Sequence, residues 1–147
     1  MNVKDVMTPD PACCTSSTKL TEVARMMIDN DCGEIPVVDS KESRKPVGVV
    51  TDRDIVIRTI GCNVDPMQKT AGDVMTTPVV TVTPDMSLVE CCDVMEQNKV
   101  RRVPVVGDGG KLCGIVAMAD VAQSAGRRTT AEVIKEVSEP NEGASKH

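Results

Sequence analysis

The sequence is a duplication, and that limits its fold more than any other feature. Shifting the 147-residue sequence by 68 places lays Asp5-Val6-Met7-Thr8 on Asp73-Val74-Met75-Thr76 and Pro36-Val37-Val38 on Pro104-Val105-Val106. The same shift superposes Leu20, Glu22 and Met27 on Leu88, Glu90 and Met95. Across positions 5–38 and 73–106, 12 of 34 residues are identical without a gap, too many for coincidence. A two-residue contraction in the next turn changes the offset to 66, after which Gly48-Val49-Val50 meets Gly114-Ile115-Val116 and Asp54 meets Asp120.

Both copies read as the same string of elements. After Asp-Val-Met-Thr comes a short strand, Pro11–Thr15 or Val79–Thr83. A helix follows, with Leu20, Val23, Ala24, Met27 and Ile28 on one stripe of helical period, and Leu88, Cys91, Cys92 and Met95 in the second copy. Two strands come next, Ile35–Val38 to Val47–Val50 and Val103–Val106 to Leu112–Val116. The turn Gly107-Asp108-Gly109-Gly110 is a strong hairpin signal. A second helix opens after Thr51 and after Ala117. A unit of about 60 residues buries too little surface to be comfortable alone, whereas two facing each other through their sheets would solve the problem. The expected fold is therefore α/β (α+β): two pseudo-symmetric β-α-β-β-α repeats packed through their sheets as one domain. The expected boundaries are 1–66 for the first repeat, 67–125 for the second, and 126–147 for a short helix near 130–137 with a polar tail.

Composition narrows the chemistry. The chain has no Phe, Trp or Tyr, and its single histidine is His147. Without rings there is no platform for stacking bases, so nucleic-acid binding by that route is excluded. A single histidine at the far end leaves no Ser–His–Asp or Cys–His arrangement and no His-bearing zinc site of the usual kind, so neither catalysis nor a metal is expected. The net charge is a mild −5, unlike the basic footprint of a DNA-binding domain. No apolar run approaches the ~20 residues of a membrane span, and no signal-peptide core follows Met1, so a cytoplasmic location is expected. Seven cysteines, an odd count with two adjacent pairs and no C-x-x-C, argue against a disulfide framework or a zinc ribbon. They read first as small buried hydrophobes. The alternative is a thiol-based redox or metal-responsive interaction protein using Cys13, Cys14 or Cys32.

The segment Gly48-Val49-Val50-Thr51-Asp52-Arg53-Asp54 ends a strand and opens a helix. Such a helix start presents free N–H groups to an anion; Thr51 is placed to cap it and Asp54 to accept a ribose diol. Thr51 with Asp52 or Asp54 could equally be plain helix caps, and on the residues alone that simpler reading is the favoured one.

Together, the duplication, the Asp-Val-Met-Thr openings, the Ile/Val-Pro-Val-Val strands and Gly-x-x-Thr-x-x-Asp resemble a pair of CBS (cystathionine β-synthase) domains over residues 3–123, most of all the stand-alone bacterial proteins made of one such pair. The resemblance implies a regulatory module that binds an adenosine-containing ligand between its repeats and signals by conformational change to a partner in trans. AMP, ADP or ATP is expected ahead of S-adenosylmethionine or NAD, and a homodimer is expected. In the family the motif Asp holds the ribose, the Thr a phosphate, and aliphatic side chains enclose the adenine. Each cleft draws on both repeats. Carried over here, the resemblance implies a main site of Thr51, Asp54, Val79, Val80, Arg101, Arg102, Val103 and Pro104, with Arg53 an optional cation. A second, weaker site would combine Asp120 with Ala12, Cys13, Gly33, Glu34 and Ile35. There Ala117 replaces the Thr, and Glu34 stands where the first site has arginine and would repel phosphate.

Overall fold

In a computed structural model that describes residues 1–124, the chain divides into two compact units. In order, the elements are α1 (Val3–Val6), β1 (Thr8–Pro9), β2 (Cys14–Thr15), α2 (Leu20–Asn30), β3 (Glu34–Val38), β4 (Pro46–Thr51) and α3 (Asp52–Arg58). Then follow α4 (Ala71–Val74), α5 (Leu88–Gln97), β5 (Arg102–Val106), β6 (Leu112–Ala117) and α6 (Met118–Ser124). The mixture of helices with small sheets is the α+β class expected. The helix and tail expected beyond residue 125 lie outside the described residues.

The first unit comprises Pro11–Val79 with Asp108–Leu112. Its central strand β3 runs antiparallel to β4, with Ile35 opposite Val50, and parallel to β2, with Cys14 opposite Val37. On the far edge of β4, Val49 and Thr76 exchange both backbone hydrogen bonds, at 3.2 and 2.8 Å. The core beneath is Leu20 and Val23 of α2 against Ile35, Val37 and Val50. Side chains of this kind each stabilise by about 1.5–3 kcal/mol when fully buried.

The second unit comprises Met1–Asp10, Val80–Gly107 and the chain from Cys113 on. Strand β6 lies between β1 and β5, with Thr8 opposite Ile115, and Val82 bridges Val105 in parallel. These pairings restate those of the first unit at the repeat offset: Cys14 with Val37 becomes Val82 with Val105, and Val49 with Thr76 becomes Ile115 with Thr8. Leu88, Cys91 and Met95 of α5 pack with Val103, Val105 and Val116. So Cys91 and Cys92, 0% and 1% exposed, fill the core as their place on the helical stripe implies.

Each Asp-Val-Met-Thr segment thus belongs to the compact unit of the other repeat. Asp5–Thr8 lies in the second unit and Asp73–Thr76 in the first. A glycine makes each crossing possible. A Cβ on Gly48 would stand 2.9 Å from Met75 Sδ and 3.0 Å from the Thr76 carbonyl oxygen. On Gly114 it would meet Met7 Sδ at 2.5 Å and the Thr8 oxygen at 3.2 Å. The opening Gly of Gly-x-x-Thr-x-x-Asp is therefore explained by close packing of backbone.

Three local expectations change. The strand expected over 79–83 reduces to Val82, whose N–H and C=O pair with Pro104 and Val106, and that over 11–15 reduces to β2. Both segments have one partner strand and are flanked by prolines, which lack a donor. Single helical turns, α1 and α4, precede the repeats; reciprocal capping by Asn2 with Asp5 and by Thr70 with Asp73 starts them. On α2 the buried face is narrower than the stripe, since Ala24 and Ile28 are exposed. Ile28 lies about 80° round the helix from Leu20, at the edge of the packed face.

Candidate functional site

The β4–α3 corner in the first unit carries the motif residues. Thr51 is the N-cap of α3: its hydroxyl accepts the Asp54 N–H at 3.0 Å, while Asp54 Oδ2 accepts the Thr51 N–H at 3.1 Å. This reciprocal box satisfies two donors that every helix start leaves open. It also leaves the Thr51 hydroxyl its own proton to donate. The capping role and the ligand role are therefore compatible in one pair of side chains.

Asp54 is 7% exposed and held by more than its cap. Thr76 Oγ1 lies 3.2 Å from Oδ1 and 3.1 Å from Oδ2. Arg58, one turn along α3, stands with Nη1 3.7 Å from Oδ1. The same Nη1 donates to the carbonyls of Val74 and Met75 at 2.8 and 3.0 Å and to Thr76 Oγ1 at 3.1 Å. A buried carboxylate needs such company, because desolvating it alone is costly. Thr76 and Arg58 were absent from the sequence expectation. The recurrence of Thr at the end of each Asp-Val-Met-Thr segment was no guide, since its copy Thr8 is exposed.

The equivalent corner of the second unit, between β6 and α6, is plainer. Asp120 Oδ2 accepts the Ala117 N–H at 3.1 Å, as Asp54 does for Thr51, but Ala117 has no hydroxyl. Asp120 is half-buried and Thr8, the counterpart of Thr76, is exposed. Among the described residues the Asp120 side chain has no second hydrogen-bond partner.

The remaining expected residues fall as follows. Val79 is in the first unit with Thr51 and Asp54, half-buried; Val80, Arg101, Arg102, Val103 and Pro104 are in the second. Arg53 is exposed, and its backbone N–H bonds Asp52. Within the second unit, the Arg101 carbonyl accepts the Met118 N–H at 2.9 Å, so the arginine pair begins β5 beside the Ala117 corner. In the first unit the Gly33 carbonyl accepts the Asp52 N–H at 2.9 Å, and Glu34 stands opposite Thr51 in the β3–β4 ladder. Glu34 and Ile35 are buried; Ala12 and Cys13 are half-buried.

Burial pushes the Cys14 thiol up to about 12, with the neighbouring Cys13 adding to the shift, and pushes Cys91 to about 11. Such thiols are neutral and unreactive at physiological pH. Cys32 Sγ donates to the Glu34 carbonyl at 3.5 Å. Among the described residues no three His, Cys, Asp or Glu side chains cluster as metal ligands, and no helix is long and apolar enough to cross a membrane.

Comparison with known proteins gives one family match, two relatives and two solved structures. The CBS domain family model matches residues 3–60 and 71–126, once per repeat. An uncharacterized protein of Methanopyrus kandleri, MK0525, is 36% identical over 120 residues, covering 82% of this chain and 58% of that protein, so the chain spans little more than half of it. Hypoxic response protein 1 of Mycobacterium tuberculosis is 32% identical over 137 residues, covering 93% of this chain and 94% of that one. The crystal structure of Hypoxic Response Protein I with two coordinated zinc ions superposes with a TM-score of 0.77 at 34% identity, over 86% of this chain and all of that one. The CBS domain pair of protein MJ0100, solved with 5′-methylthioadenosine and S-adenosyl-L-methionine, gives 0.73 at 28% identity over 84% of this chain and 94% of that chain.

Proposed function

Because this chain belongs to the CBS domain family and carries its repeat twice, as a regulatory ligand-binding pair, we propose that it senses an adenosine-containing nucleotide and passes the signal to a partner protein without catalysing a reaction. The observation that carries this is the Thr51–Asp54 box: a carboxylate for the ribose diol and a hydroxyl proton for a phosphate oxygen, three residues apart and fixed by each other's backbone. The bound adenosine ligands of the MJ0100 pair support the ligand class. AMP, ADP or ATP is the ligand put forward. Val79, Val80, Val103 and Pro104 are proposed as aliphatic contacts for the adenine, and Arg101, Arg102 and Arg53 as phosphate contacts, Arg being suited to bidentate binding. The corner at Asp120 takes a ligand weakly or not at all, lacking the hydroxyl.

Signalling follows from the ligand binding one arrangement of the pair, or of a homodimer, better than another. A nucleotide at a hundred times its Kd stabilises the folded state by about 2.7 kcal/mol, several degrees of melting temperature for a domain of this size. The test is a thermal-shift screen with AMP, ADP, ATP, S-adenosylmethionine and NAD, read by an extrinsic dye because the chain has no Trp or Tyr. At least one adenine nucleotide should raise the melting temperature, and Asp54→Ala should remove the rise. If none does and calorimetry detects no binding, the proposal fails.

A further inference from the structure

The Asp54 carboxylate, on which the proposed ribose contact rests, is already occupied from within the chain. One oxygen accepts the Thr51 N–H at 3.1 Å. The Thr76 hydroxyl sits almost equidistant from both, at 3.1 and 3.2 Å. A hydroxyl has a single proton to give, so it straddles the carboxylate near its bisector. That is the edge where a vicinal diol would place one hydroxyl on each oxygen. Arg58 closes the Oδ1 side at 3.7 Å and holds the same Thr76 oxygen at 3.1 Å. With Asp54 7% exposed, an incoming diol meets a carboxylate already engaged at both oxygens.

We infer that the Thr76 hydroxyl is an internal stand-in for the ligand's ribose hydroxyls, and that the ligand binds by displacing it from Asp54. This rests on the reading that Asp54 receives a ribose. The exchange moves one side chain. The Thr76 main chain stays paired to Val49, and Arg58 keeps the Val74 and Met75 carbonyls. Thr76 stands three residues before Val79, where the chain leaves the first unit for the second. The other corner has no such device: Thr8 is exposed, and Asp120 accepts from Ala117 alone among the described residues.

The test is calorimetry of AMP and of 2′,3′-dideoxy-AMP with the full chain and its Thr76→Val, Thr76→Ser and Asp54→Ala variants. Removing one competing hydrogen bond should tighten AMP binding by Thr76→Val about three- to tenfold. Thr76→Ser should behave as the unaltered chain, and the dideoxy nucleotide should bind Thr76→Val no better than it binds the unaltered chain. Thr76→Ala takes the place of Thr76→Val should the latter melt early. Equal or weaker AMP binding by both hydroxyl-free variants overturns the inference and leaves the nucleotide proposal standing. Absence of AMP binding by every protein, or AMP binding unaffected by Asp54→Ala, overturns the ribose role of Asp54 itself and the inference with it.

Discussion

The two strand-to-helix corners began as copies and now differ in what surrounds one carboxylate. At the first, Asp54 is buried and bonded by Thr51 and Thr76, with Arg58 beside it. At the second, Asp120 is half-exposed and bonded only to the Ala117 N–H among the described residues. The backbone bond from residue N-cap to N3 side chain survives at both, at 3.1 Å in each. What differs is the Thr51 hydroxyl, the contact from Thr76, whose counterpart Thr8 is exposed, and the neighbouring Arg58. The backbone bond is thus common to both corners, and the added groups are particular to the first.

Several substitutions probe how far the two halves have diverged. The largest effect is expected in the cores. Met95 is fully buried, whereas its counterpart Met27 is only half-buried at the edge of its cluster. Met95→Ala should cost about 2–5 kcal/mol in denaturant unfolding, and Met27→Ala distinctly less. Equal losses would mean that the two cores depend on this position alike. Next come the caps: Thr51→Ala should cost about 1 kcal/mol, and Ala117→Thr should return a comparable gain to the second unit. If Ala117→Thr gives no gain, the second corner has lost the geometry for a hydroxyl cap as well as the residue. A smaller effect is expected at the long helices. Ser87 caps α5 by accepting the Glu90 N–H at 3.1 Å, but Lys19 at the same place on α2 provides no side-chain cap. Lys19→Ser should stabilise by roughly 0.5–1 kcal/mol.

The smallest effect at neutral pH, and one confined to alkaline solution, concerns Cys14, whose counterpart is Val82. Its folded-state value of about 12 lies above the ordinary 9.0 because burial, then Cys13, opposes ionisation. The unfolded chain loses the proton first, so the stabilisation is complete below pH 9 and is lost as pH rises toward 12. Urea midpoints measured across that window should fall, and Cys14→Val should flatten the fall. An unchanged slope would contradict the assigned burial.

The duplication and its helical stripes made most of the fold legible, because Leu, Val, Met and Cys at helical spacing have no other economical place than a core. The exchange of Asp-Val-Met-Thr segments between units was not legible: it depends on backbone pairing of Thr8 with Ile115 and Thr76 with Val49, which leaves no periodic mark. The strands around Val82 and Cys14 shortened because prolines and a single partner limit their ladders. At the candidate site, Thr51 and Asp54 could be named from spacing alone, since a capping box fixes its residues three apart. Thr76 and Arg58 could not, because they reach Asp54 through the tertiary fold and through a helix face whose direction the sequence does not settle.

The central claim, that the first corner and not the second holds the nucleotide, is tested most directly by titrating AMP calorimetrically into the unaltered chain, Asp54→Ala and Asp120→Ala. Losing hydrogen bonds to a charged acceptor should weaken binding by about ten- to a hundredfold in Asp54→Ala, with Asp120→Ala matching the unaltered chain. Affinity lost in Asp120→Ala and retained in Asp54→Ala would contradict it.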